Sequence, residues 1–287
     1  MSYKRIVALT FGHAGDFAAL EAAAALGVTH QAHVAVFPFA LDPALDLVSY
    51  GMLFGTTLPE ETSAAILAGQ AEQRGRLETL CRHICNEADL VYGDGEGLPR
   101  LHVLQPAGRA EIALSHALTL ADLVVVSQES LTAVPVAHDA FSQVLLQQRA
   151  PVLVVRQDFE VSGQRVMVAW DGSAEAGRAV RQALPLVAMA SSTVAVQCRQ
   201  GLDRQAADPA FEPLLAYLKT HGVGGAEIEI LDEGPEGGAL VAAAARLKAG
   251  LVIAGAYGRT QLREALFGGA TRAFLDDRVG PSLLLAH

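Results

Sequence analysis

The sequence predicts an α/β protein made of two tandem, five-stranded, doubly wound parallel-sheet domains, residues 1–158 and 159–287. Three observations carry that prediction. Short Val/Ile/Leu runs alternate with Ala-rich segments at helical spacing, the strand–helix–strand pattern of parallel βαβ units. Five such runs are followed by five more. Their ends align as an internal repeat: RIVALTFG (5–12) with RVMVAWDG (165–172), ADLVVVSQES (121–130) with AGLVIAGAYG (249–258), and PVLVV (151–155) with PSLLL (281–285). Finally, the chain has 287 residues, about twice a common domain length of ~150.

In the first half, strands are expected at Arg5–Thr10, His33–Phe37, Arg100–Leu104, Leu123–Ser127 and Pro151–Val155. Several are apolar almost throughout, as strands covered on both faces must be. Extra residues fall around Asp42–Glu87. The part DPALDLVSYGMLFGTTLPEE lacks a period and reads as a long loop or lid, followed by a long amphipathic helix from about Pro59 to Ala88. Tyr50, Met52, Leu53 and Phe54 form an apolar knot in that loop, expected to cover the long helix or the domain junction; a ligand-gating or partner surface is the alternative. Leu77, Cys81, Ile84 and Ala88 make an apolar stripe on the helix, so Cys81 and Cys85 read as packing rather than as half a metal site. The polar stretch Arg156–Gln164 is the expected linker. Strands of the second half are expected at Arg165–Trp170, Thr193–Gln197, Glu227–Leu231, Leu251–Ala254 and Ser282–Ala286, with helices at Ala174–Met189 and Ala239–Lys248.

Composition excludes several function classes. Apolar residues make up 51% of the chain and charged residues 18%, so a core can be filled. The net charge is −10 with no basic run, which disfavours a nucleic-acid partner but not a small anion held by backbone N–H groups. Three cysteines fit a reducing compartment. No stretch approaches the ~20 apolar residues of a membrane helix, and MSYKRIVALTF does not resemble a signal peptide. The expectation is a cytoplasmic protein without a membrane partner.

The strongest chemical signal is GAYGRTQLREALFGGAT, residues 255–271, directly after an apolar strand. Gly255 and Gly258 sit where the strand end turns. Gly268 and Gly269 follow a nine-residue spacer and open a helix through Ala270–Leu275. Ligands of open parallel sheets bind at the carboxyl ends of strands. Glycines there admit a phosphate to the backbone N–H groups, and a helix N-terminus adds its positive end. Arg259 and Arg263 supply local positive charge. The second signal is AWDGSAEAGRA, residues 169–179, which puts Asp171 at the same sheet edge, where a carboxylate can accept from a base amino group or a sugar hydroxyl; a turn-forming Asp-Gly is the plainer reading. Ser173 suits a helix cap and Glu175 the first turn. Neither the dinucleotide fingerprint GxGxxG nor the P-loop is present.

This pair of motifs resembles the universal stress protein family, which carries Asp-Gly-Ser after the first strand and G-x2-G-x9-G-(Ser/Thr) after the fourth. GAYGRTQLREALFGGATRAFL is similar to tandem two-domain bacterial members. The resemblance implies an adenine-nucleotide alpha hydrolase-like fold, with the halves joined as an intramolecular pseudo-dimer through antiparallel last strands. It also implies ATP or another adenine nucleotide as ligand. Ala169 and Asp171 then face the adenosine, while Gly255, Gly258, Gly268, Gly269, Ala270 and Thr271 line the ribose and phosphates. One departure stands out: Gly269 occupies the place of the usual Ser or Thr, so a phosphate-contacting hydroxyl is missing.

The first half has lost both signals. Phe11 aligns with Asp171, Ser127 and Ser130 with Gly255 and Gly258, and Ala140 and Phe141 with Gly268 and Gly269. This half is expected to be structural or to bind something apolar. The nine histidines show no metal-pair spacing. His13 and Asp16 read as a solvated helix start rather than an acid–base pair. No nucleophile elbow and no acidic magnesium cluster is visible. The expectation is therefore a non-catalytic, adenine-nucleotide-binding stress-response or signalling protein with its site in the second half. Its protein partner is unknown, and a homodimer is compatible with the family likeness. The alternatives are an interaction module that uses no nucleotide, and a weak ATPase.

Overall fold

The computed structural model describes residues 2–39, 60–106, 109–157, 159–199, 202, 208–232, 238–256, 269–277 and 279–287. The apolar knot Tyr50–Phe54 lies outside them. The first half runs β1 (Arg5–Thr10), α1 (Asp16–His30), β2 (His33–Pro38), α2 (Glu60–Ala88), β3 (Val91–Tyr92), β4 (Arg100–Val103), α3 (Ala110–Leu118), β5 (Leu123–Ser127), α4 (Gln128–Ala133), α5 (Pro135–Ser142), a π-helical turn (Gln143–Gln147) and β6 (Val152–Val155). The second half runs β7 (Arg165–Ala169), α6 (Ala174–Val187), β8 (Ser192–Cys198), α7 (Glu212–Thr220), β9 (Glu227–Leu231), α8 (Gly238–Leu247), β10 (Leu251–Gly255), α9 (Gly269–Asp276) and β11 (Ser282–Ala286).

Among the described residues, eleven strands form one sheet in the order β3-β4-β2-β1-β5-β6-β11-β10-β7-β8-β9. Ten match the sequence expectation. The eleventh, β3, is two residues beside a Gly-rich loop, too short to leave a pattern; it pairs parallel with β4. Every neighbouring pair is parallel except the central one, where β6 meets β11 antiparallel with Leu153 opposite Leu284. The last strands thus join the halves, as expected. Joined this way, each strand is an inner one, and every residue of β6 and β11 is buried. At the outer edge β9 reads EIEIL and is mostly exposed, with Ile228 and Ile230 among the exposed apolar residues.

The sheet separates two apolar layers. One packs under α1, α2, α6 and α7 and holds Leu20, Cys81, Leu101, Leu153, Val180, Leu218 and Leu284. The other packs under α3, α4, α5, α8 and α9 and holds Val7, Leu114, Phe141, Val152, Phe274 and Leu285. In each half the chain builds outward from the first strand on one flank (β1, β2 and β4 with β3 at the edge; β7, β8 and β9), then returns to the other flank of the first strand. Because parallel crossovers keep one hand, the helices change face at that return. Cys81 and Cys85 are buried, and burial pushes their thiols up to about 12 and about 11. They are packing residues, as the stripe implied. The stretch after β6 is pinned: Arg156 donates from Nε to the Pro281 carbonyl at 2.9 Å and from Nη2 to the Phe274 carbonyl at 3.0 Å, while Phe159 and Val161 pack on the core.

Candidate functional site

β7 and β10 are neighbours, and the direction of strand addition reverses between them. In an open α/β sheet this switch point leaves a crevice outside the carboxyl ends of the two strands. Ala169, half-buried, ends β7, and the Trp170 N–H still donates to the Val196 carbonyl at 2.9 Å. Asp171 follows, exposed, at the crevice mouth. One of its carboxylate oxygens accepts the Ser173 N–H at 2.9 Å, and the Ser173 hydroxyl accepts the Ala176 N–H at 3.1 Å to cap α6. One carboxylate oxygen thus shapes the turn, the plainer reading of Asp-Gly, while the group still faces solvent.

Gly255 ends β10 beside this turn. A Cβ there would stand 2.6 Å from the Ala176 backbone nitrogen and 2.8 Å from Glu175 Cβ. Its glycine character therefore lets the first turn of α6 descend onto β10, a packing reason that the expectation of phosphate access did not contain. Gly258 and Gly268, with Arg259 and Arg263, lie outside the described residues. Gly269, Ala270 and Thr271 form the first turn of α9, of which the backbone alone is described.

A strap overlooked in the sequence crosses the same turn. Gly172 has φ +77°, and a Cβ on it would fall on the Asp208 carbonyl. Trp170 Nε1 donates to the Ala210 carbonyl at 3.0 Å, and buried Gln197 donates to the Pro209 carbonyl at 2.7 Å. The signal that could have found it is Trp170, the chain's only tryptophan, whose indole N–H needs a partner when partly buried. Asp171 and Asp208 make this end of the crevice acidic, while Glu175 is paired with Arg178 at 2.5 Å. Such an end favours hydrogen-bond donors over anions.

The corresponding crevice of the first half, between β1 and β5, is closed from within. Asp16 is buried, not solvated: it accepts the Phe11 N–H at 2.7 Å, the His13 N–H at 3.0 Å and the Ser130 hydroxyl at 2.6 Å. Ser127 caps α4 by accepting the Ser130 N–H at 3.1 Å. The reading of His13 and Asp16 as a solvated helix start is thereby corrected; the carboxylate is the centre of a knot that ties the β1–α1 loop to α4. Phe11 packs on Phe39, ring centroids 5.8 Å apart, where the second half has Asp171. The two serines that replace glycines use their hydroxyls to fill this crevice.

A groove of about 370 Å³ lies elsewhere, between α1, α2 and the stretch after β6, lined by Phe17, Glu21, His83, Glu87 and Arg156. It is remote from the β7–β10 crevice, which topology and the motif residues mark independently. The sequence reading assigned no metal site; the fold nonetheless brings His33, Asp94 and His102 together. No helix among the described residues is long and apolar enough to cross a membrane.

Comparison with known proteins bears on the fold. Residues 163–276 match the model of the Universal stress protein family. A universal stress protein from Archaeoglobus fulgidus DSM 4304 has a similar structure, with TM-score 0.65 and 14% identity, covering 98% of this chain and 95% of its own. A functionally unknown protein from Pseudomonas aeruginosa PAO1 has TM-score 0.54 at 14% identity, covering 99% of this chain and 92% of its own. The universal stress protein fold therefore extends over nearly the whole chain, and the sequence match covers the second half. No curated protein sequence matches the chain.

Proposed function

We propose that this chain, a doubled universal stress protein fold whose second half matches the family model, binds an adenine nucleotide at the β7–β10 crevice and acts in a stress response or in signalling. The observation that carries the reading is the exposed Asp171 carboxylate at the switch point, beside the strand end from which the glycine segment departs. The base and ribose lie at the acidic end, where Asp171 accepts from a hydroxyl or amino group. The phosphates lie along Gly255, Gly258, Gly268, Gly269, Ala270 and Thr271. Binding proceeds without turnover on this reading, and occupancy alters the loop presented to a protein partner.

The test is mass spectrometry of small molecules released by denaturing the purified protein, followed by calorimetry with ATP and AMP. Asp171→Ala and Gly258→Val should each abolish or strongly weaken binding. Gly255 is a poor probe, because a side chain there strikes the α6 backbone. ATP hydrolysis should not exceed that of Gly258→Val; turnover near one per second would promote an enzymatic reading. Failure of the wild-type chain to bind either nucleotide at millimolar concentration would leave the second reading, an interaction module that uses no nucleotide. The strap resting on Gly172 and the glycine at position 269 favour that alternative.

A further inference from the structure

A second site is built at the far end of the sheet. β2 and β4 pair parallel, with His33 opposite Arg100 and Ala35 opposite His102. The period of two along a strand puts all four side chains on one sheet face. The two imidazoles stack, with ring centroids 4.6 Å apart and planes 16° from parallel. The third group comes from the loop between β3 and β4. Arg100 holds that loop by donating to three of its carbonyls: Gly97 at 2.7 Å, Glu96 at 2.8 Å and Gly93 at 3.2 Å. Gly95, at φ +155°, lets the guanidinium lie against the loop, since a Cβ there would be 2.6 Å from Nη1. The loop so held presents Asp94. One nitrogen of each histidine and one Asp94 oxygen all lie within 4.8 Å of each other.

A further fact points to a ligand. The His102 ring lies beside the Val34 backbone, yet its buried Nδ1 makes no hydrogen bond of ordinary geometry, a state that buried polar atoms usually avoid. We propose that His33, His102 and Asp94 bind one divalent transition-metal ion of the zinc class, leaving a fourth position for water or another ligand. Two imidazole nitrogens and a carboxylate oxygen are a donor set suited to such an ion. Tetrahedral ligands at about 2.0–2.2 Å stand roughly 3.4 Å apart, so the donor atoms, now within 4.8 Å, must draw closer, and the two stacked rings must turn out of their stack for their in-plane lone pairs to converge on one ion. Arg5, opposite His33 in β1, and Arg100 place positive charge beside the site. Asp94 is the charge that offsets them, so its removal should cost more than the loss of one ligand. The site lies at the start of β2 in the first half, on the opposite strand end from the β7–β10 crevice, and does not depend on nucleotide binding.

The experiment uses the full chain stripped with EDTA and titrated with zinc chloride against a chromophoric chelator, with thermal unfolding as a second readout. One zinc per chain should bind and raise the melting temperature. His102→Ala should lose that equivalent, and Asp94→Asn, at an exposed position that leaves the strands intact, should weaken it at least tenfold. His83→Ala, on α2 and outside the donor set, should leave it unchanged. Cobalt(II) in place of zinc should give the intense visible bands of a tetrahedral site in wild type and lose them in Asp94→Asn. The proposal is overturned if wild type binds no zinc at micromolar concentration, or if Asp94→Asn and His102→Ala both bind as wild type does.

Discussion

A disulfide between β6 and β11 tests the doubled architecture. Leu153 and Leu284 are direct partners in the antiparallel pair, and neither is exposed. Directly opposed residues in such a pair have Cα atoms about 4.5 or 5.5 Å apart, inside the roughly 4.4–6.8 Å that a disulfide spans. Replacing both with cysteine sets two effects against each other. Each truncation removes buried carbons and costs on the order of 1–2 kcal/mol, so the reduced variant should be weaker by about 2–4 kcal/mol. The cross-link then closes a loop of roughly 130 residues, for which chain entropy predicts about 4–5 kcal/mol of stabilisation. The oxidised form should therefore match or exceed the parent, while the reduced form falls below it. Cys81, Cys85 and Cys198 are replaced first, the buried pair by alanine. Dilute protein is then oxidised, followed by non-reducing electrophoresis and urea unfolding of both redox forms. If neither this pair nor the adjoining pairs Leu283–Val154 and Leu285–Val152 cross-link within one chain, the halves do not share this seam. The same conclusion follows if all cross-links join separate chains.

Two further substitutions probe the two crevices. Gly269→Ser restores the hydroxyl expected at a phosphate. A charge-assisted bond of about 1.5–3 kcal/mol should tighten ATP tenfold or more and AMP much less; an equal effect on both nucleotides in calorimetry would place position 269 away from the terminal phosphates. Ser130→Ala removes the 2.6 Å bond to buried Asp16 and should cost about 1.5–3 kcal/mol in urea unfolding while leaving nucleotide affinity unchanged. A cost below about 0.5 kcal/mol would mean that water replaces the hydroxyl and that the knot does not close this crevice.

Much of this molecule is legible in its sequence. Strands buried on both faces must be apolar throughout, so LVVVS at β5 and VLVV at β6 announce themselves, and the repeat announces the doubling. Asp171, Ser173 and the glycines were legible because a strand-to-helix turn restricts residue type locally. The glycines at 172 and 255 were visible as glycines, but the reasons for them were not: one lies under the Asp208 carbonyl and the other under the first turn of α6, contacts between segments distant in the chain. Asp16 looked like a solvated helix start because its partner Ser130 is far away in sequence. His33 and His102 showed no ligand spacing, since a metal-pair motif is legible only when one helix or loop supplies both ligands. Sheet register sets their neighbours instead, and register is decided by pairing across the whole sheet. Periodicity and turn chemistry, which act over a few residues, thus determined the elements and the strand ends. Which distant side chains meet was decided only when β4 lay beside β2 and α4 came down on α1, because those contacts depend on packing and not on spacing along the chain.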